Sequence, residues 1–180
     1  VLAALDLSSR QRVLDVGAGF GFWTLLASEA VGEKGHVLAI DSNPYCASLM
    51  DRELTAREVN NVEVQSCSLE TLEQPSTPFD VILCKNALRF PEDQRSKGLS
   101  GVRLSPGRTV RRFWDLLDSG GRVVLIPLVT SNDCMPASEI VSLFEDTGFR
   151  ILSEDDPRDF GLSVPDTPER CGTLLVAQKP

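Results

Sequence analysis

A short apolar run that stops on three alternate glycines constrains this chain more than anything else in it. Val13-Leu14-Asp15-Val16 leads into Gly17-Ala18-Gly19-Phe20-Gly21, and Phe22-Trp23-Thr24-Leu25-Leu26-Ala27 follows. The apolar run suits a central parallel strand, buried on both faces. Glycine admits positive φ and carries no Cβ, so a ligand can rest against bare backbone, and the next helix points its free N–H groups at the same place. In an open α/β sheet that place is the carboxyl edge of the first strand, where sites form. Tight loops use glycine too, so the turn alone is weak. Asp15, however, stands two residues before the first glycine, and a second strand, Val37 to Ile40, ends in Asp41, 20 residues beyond Gly21. That is close to the spacing at which an acid accepts from ribose hydroxyls. Two strand ends therefore converge on one nucleotide-like ligand.

Asp15-Val16-Gly17-Ala18-Gly19-Phe20-Gly21, followed by Ala39-Ile40-Asp41-Ser42-Asn43-Pro44, resembles the first two motifs of class I S-adenosylmethionine-dependent methyltransferases. The glycines fall as G-x-G-x-G, unlike the G-x-G-x-x-G of nicotinamide and flavin sites. The resemblance implies that Gly17, Ala18, Gly19 and Gly21 face the methionine part of the donor S-adenosyl-L-methionine. It makes Asp15 the residue that orients either the loop or the donor's ammonium, and Asp41, with Ser42 beside it, the ribose contact. Ser66 to Leu72 occupies the place of the third motif, where related enzymes carry an Asp for the adenine amino group. This chain has Ser68, with Leu69 next to it; a hydroxyl or backbone contact to adenine and a simple cap on a short helix closed by Glu70 or Thr71 are both open readings. Lys85-Asn86-Ala87-Leu88-Arg89-Phe90-Pro91 leaves the fourth strand and resembles the small-molecule branch, including the quinone-biosynthesis enzymes. By that resemblance Asn86 is the catalytic-site residue nearest the reacting centre, with Lys85, counted among the donor-binding residues, and Arg89 near it.

At 180 residues, 42% hydrophobic, the chain suits one domain with a substantial core, residues 1–180. No charged leader precedes an apolar segment and no apolar run approaches the roughly 18 residues of a span, so a soluble, cytoplasmic protein without membrane contact is expected. Val1 in place of an initiator Met points to a processed start. Cys46, Cys67, Cys84, Cys134 and Cys171 are scattered, with His36 as the single imidazole. That pattern speaks for reduced thiols and against a metal site. A net charge of −8 argues against coating nucleic acid through a global field. Seven basic residues between Arg89 and Arg112 could still form a local patch or merely a solvated face.

The expected elements are strand one, a helix over 22–31, strand two, a helix over 44–58, strand three at 62–65 and strand four at 79–84. A helix over 109–117 follows, with Val110, Phe113, Trp114 and Leu117 on its apolar face, then strand five at 122–127 and a helix over 138–147. The chain ends on strands at 149–152 and 173–177. No helix is evident between these, so they are expected to pair as an antiparallel hairpin. The fold class is α/β: a Rossmann-like, doubly wound, seven-stranded, mostly parallel sheet with an antiparallel last strand. Residues 92–106 make a long loop and a candidate lid. His36 lies at the amino end of its strand, where a surface position and no role as a base are expected. Tyr45 either flanks the donor or packs in its helix.

The function expected is methyl transfer from S-adenosylmethionine to a small-molecule acceptor. An RNA or protein acceptor meeting the basic 89–112 segment is the alternative. A non-catalytic binding subunit and a small NAD(P)-dependent oxidoreductase are alternatives of other classes. A methyl sulfonium is already electrophilic, so alignment can carry roughly 7–11 kcal/mol of the barrier without a catalytic triad. The oligomeric state is left open.

Overall fold

The computed structural model describes residues 5–85, 105–126, 136–156, 159 and 173–180. Their strands are β1 (Arg12–Val16), β2 (His36–Ile40), β3 (Val62–Gln65), β4 (Phe79–Lys85), β5 (Leu117–Ile126), β6 (Arg150–Asp155) and β7 (Leu174–Gln178). The helices are α1 (Phe22–Val31), α2 (Pro44–Ala56), α3 (Pro106–Leu116) and α4 (Ala137–Thr147). The seven strands form one sheet in the order β3-β2-β1-β4-β5-β7-β6. β1 to β5 are mutually parallel, and β7 is antiparallel to both of its neighbours, β5 and β6. β7 thus inserts between β5 and β6, and the expected pairing of the last two strands is what the sheet shows.

The periodicity of two along each strand divides the core. Val13, Val37, Val81 and Val124 face Ala27 and Val31 of α1, while Ala39 meets Met50 and Leu54 of α2. On the other face Leu14, Leu38, Ile82 and Val123 meet Val110, Phe113 and Leu116 of α3 and Ile140 and Phe144 of α4. The central strands are buried on both sides, hence their unbroken apolar runs. The reversal between β1, which leads outward to β2, and β4, which starts the other half, opens a crevice at the carboxyl ends of β1 and β4. This is the switch point at which such sheets bind ligands.

Several boundaries differ from expectation. α3 begins at Pro106, earlier than 109, because proline lacks the N–H that a first helical position leaves unbonded. β5 starts at Leu117, directly on the end of α3, where Leu117 pairs with Phe79 before the register shifts. Trp114 is half-buried rather than enclosed. It stacks edge-on against Phe149, 5.1 Å between centroids, and carries the Lys179 ammonium over its face at 5.3 Å. His36 is half-buried as well: Nδ1 is enclosed without a hydrogen-bond partner and Nε2 lies 3.8 Å from Glu63. Burial, and then the Arg12 guanidinium, lower its pKa.

Candidate functional site

Every one of the three glycines in the turn after β1 has positive φ: 71° at Gly17, 58° at Gly19 and 84° at Gly21. The N–H groups of Gly17 and Ala18 both donate to the Ile40 carbonyl, at 2.9 and 3.0 Å, which ties the turn to the end of β2. Asp41, one residue further on, completes the tie. Its Oδ2 accepts from Gly19 N at 2.8 Å and its Oδ1 from Asn43 N at 2.8 Å. Asn43 in turn caps α2, accepting from Tyr45 N at 3.0 Å, with Pro44 in the first helical position. The acid expected for ribose therefore also builds the cradle. Each carboxylate oxygen retains a lone pair for a further donor.

Asp15 is sealed beneath the turn, 2% exposed. It lies on the α1 face of β1, two residues after Val13, and accepts from Thr24 Oγ1 at 2.6 Å. Its pKa is pushed up to about 6: burial raises it most, the Thr24 hydrogen bond offsets part, Asp41 adds to the rise and Lys85 opposes it. The Thr24 hydrogen bond ties the end of β1 to the first turns of α1. Thr24 and Met50 are members of this site that sequence reasoning missed; Thr24 Oγ1 lies 3.6 Å from Met50 Sδ. A polar residue on the buried face of α1, which also carries Ser28, was the available signal for Thr24. Met50 left none.

Space above the turn is uneven. A Cβ on Gly19 would have nothing within 4 Å, whereas one on Gly21 would lie 2.8 Å from Met50 Cγ and 2.9 Å from Sδ. Gly19 thus faces open space and Gly21 faces protein. Phe20 of the turn, Phe22 at the start of α1 and Tyr45 at the start of α2 are exposed, at 68%, 65% and 66%. Tyr45 is therefore not packed in its helix, and its ring is available to a ligand beside Asp41.

Ser42 is exposed next to Asp41. Ser68 heads a turn in which Thr71 N and Leu72 N both donate to its carbonyl, while Ser68 N donates to Thr71 Oγ1 at 3.1 Å. Leu69 buries its side chain in the core, 7% exposed, so only its backbone remains for a ligand. Lys85 ends β4 level with the start of the glycine turn, and its ammonium lies over the Trp23 ring, 5.5 Å from the centroid. Asn86, Arg89 and the 92–104 part of the expected lid lie outside the described residues. From the basic segment, Arg112 donates to the Leu72 carbonyl and to Gln74, and Arg111 lies 4.0 Å from Asp115. Among the described residues no His, Cys, Asp and Glu cluster could hold a metal, and no helix is long and apolar enough to cross a membrane. A separate cavity of about 430 Å³ opens between α3 and α4, beside Pro106, Leu143 and Asp146, away from the glycine turn.

Fold and site together define a Rossmann-like α/β domain with a glycine turn at the carboxyl edge of its sheet, tied down by Asp41 and underlain by the buried Asp15. Residues 13–104, just over half of the chain, match the family described as a methyltransferase domain, and the chain belongs to that family. It is 30% identical over 113 residues to an aklanonic acid methyltransferase of a Streptomyces species, a match covering 63% of this chain and 46% of that one. It is 31% identical over 144 residues to the ubiquinone/menaquinone biosynthesis C-methyltransferase of Vibrio cholerae, covering 79% and 49%. It is also 31% identical over 109 residues to a Thermus thermophilus tRNA (adenine(58)-N(1))-methyltransferase, covering 60% and 41%. The matched stretch is less than half the length of each of these relatives. Among solved structures, a methyltransferase from Aquifex aeolicus superposes with a TM-score of 0.71 at 21% identity, covering 99% of this chain and 87% of that one.

Proposed function

We propose that residues 1–180 form one domain that binds S-adenosylmethionine and transfers its methyl group to a small-molecule acceptor in the cytoplasm. The observation that carries this reading is the open space over Gly19, rimmed by the Asp41 carboxylate. Gly17, Gly19 and Ala18 supply bare backbone for the methionine part, and Asp41 and Ser42 supply acceptors for the ribose. Asp15 fixes the turn through Thr24, and the Leu69 backbone is available to the adenine. When bound, the donor supplies an electrophilic methyl group on a sulfonium. The chain's own residues hold and orient the reactants; proximity of that kind is worth several kcal/mol. Asn86 belongs to the acceptor side in this reading.

A small-molecule acceptor fits the engaged state of Arg112, whose guanidinium donates to the Leu72 carbonyl and to Gln74. Two of the relatives, named for aklanonic acid and for quinone biosynthesis, point the same way. Cys46 and Cys67 are not in disulfides, which suits a reducing compartment.

Calorimetric titration with S-adenosylmethionine and S-adenosylhomocysteine, against reduced nicotinamide cofactors, tests the reading. Saturable binding of the first pair alone is expected. Binding of nicotinamide instead would overturn it, and a donor that binds but is never consumed would mark a non-catalytic subunit. Gly19→Ala is expected to retain the fold, with about 1–2 kcal/mol lost to the left-handed backbone, and to lose at least tenfold in donor affinity. Asp41→Ala is expected to weaken the donor by about 1.5–3 kcal/mol, roughly 10- to 100-fold, through loss of charge-assisted bonds. Unchanged affinity in both variants would remove the site from this turn.

A further inference from the structure

Lys85 is a half-buried cation at the carboxyl end of β4, and among the described residues no carboxylate lies within ion-pair distance of its ammonium. It follows Leu83 by two residues and so projects from the α1 face of the sheet, where its contact is the face of Trp23. Phe22 meets the same indole edge-on, with centroids 5.5 Å apart and an interplanar angle of 87°. Ammonium, indole and phenyl ring thus form a continuous surface beside the glycine turn. Phe22 is exposed, and so is Phe20, two residues ahead of it in the glycine turn; they are two of the four large hydrophobic side chains exposed among the described residues. Apolar rings left in water at a site rim mark a contact for an apolar ligand. The strand order β2-β1-β4 sets Asp41 and Lys85 on opposite sides of the turn.

Neither of the two carboxylates nor the imidazole described here is placed to serve as a base. Asp15 is sealed and engaged by Thr24, Asp41 holds two amides, and His36 stands at the amino end of β2. An acceptor that arrives already ionised needs none.

We infer that Lys85 selects the methyl acceptor by its charge, and that the acceptor is an aromatic oxyanion whose ring rests on Phe20, Phe22 and Trp23 while its oxygen pairs with the Lys85 ammonium. This rests on the proposed methyl transfer. The charges balance: a lone pair of the oxyanion forms the new O–C bond and the C–S bonding pair stays on sulfur. A neutral ester or ether and a neutral thioether result, with no proton released. The chain carries a net charge of −8, so any preference for an anion has to come from a local cation.

The test uses the protein saturated with S-adenosylhomocysteine, titrated calorimetrically with 2-naphthoate and with its uncharged counterpart 2-naphthamide. The naphthoate is expected to bind at least about tenfold tighter, the effect of one partly buried charge-assisted hydrogen bond. Lys85→Gln is expected to abolish that preference, and Lys85→Arg to keep it, with S-adenosylhomocysteine affinity unchanged in both. Equal affinity for the two probes, no binding of either, or a preference that survives in Lys85→Gln overturns the inference. So does a loss of S-adenosylhomocysteine affinity in Lys85→Gln, which would assign the ammonium to the donor. Failure of the wild type to bind S-adenosylhomocysteine at all would instead strike the proposed function.

Discussion

Replacing Gly21 by valine is expected to destabilise the protein by about 2–5 kcal/mol, a large share of the roughly 5–15 kcal/mol by which domains are ordinarily stable. Two costs add. The backbone at Gly21 sits at φ 84°, which costs an L-residue about 1–2 kcal/mol and a β-branched one more. The new Cβ would also lie 2.8 Å from Met50 Cγ and 2.9 Å from Sδ, inside a core where Met50 is 1% exposed. Overpacking of this kind costs about 1–3 kcal/mol, although the unbranched Met50 can yield a little. Chemical denaturation of Gly21→Val beside Gly19→Ala checks it. The two glycines are neighbours in one motif, yet only the second should be needed for the fold. A loss below 1 kcal/mol at Gly21 would show that Met50 moves aside freely.

Asp15→Asn is expected to become progressively more stable than the wild type as pH rises from 4 to 7. The folded carboxyl has a pKa of about 6 against an ordinary value of 3.8, so between those values the folded state binds more protons than the unfolded one. Stability of the wild type therefore falls as pH rises through this window, and the fall ends above pH 6. The size of the shift corresponds to about 3 kcal/mol. Asparagine has no proton to lose, so its stability lacks this term, whatever fixed penalty its amide incurs next to Thr24. The difference between the two unfolding free energies, measured at pH 4, 5, 6 and 7, reads the effect directly. A constant difference across that range would mean that Asp15 titrates normally. Donor affinity of Asp15→Asn is expected to fall, because the charged carboxylate is what holds Thr24 and, through it, the turn against α1.

How much of this was legible beforehand depends on the range of the interaction. Residues 13–21 announced a strand, a turn and a helix because apolar burial and positive φ each demand particular side chains at fixed spacing. Asp41 was found the same way, from its distance along the chain to Gly21. Its double grip on Gly19 N and Asn43 N was not visible, since those bonds depend on how the ends of β1 and β2 meet. Thr24 and Met50 escaped for the same reason: an ordinary helix residue becomes a site residue only through what lies opposite. Trp114 was placed on the apolar face of α3 by periodicity, but periodicity carries no information on how far the neighbouring Phe149 and Lys179 cover it.

The amino-acid sequence by itself determined the class of fold, the order of its strands and helices and the position of the glycine turn, because these follow from local stereochemistry and from patterns of burial. Only the tertiary structure decided which glycine faces open space and which faces Met50, and that Asp15 is sealed beneath the loop. It likewise decided that the Lys85 ammonium lies over the Trp23 ring, 62 residues back along the chain. Those are distances between segments remote in sequence, fixed by sheet order and register rather than by any local preference.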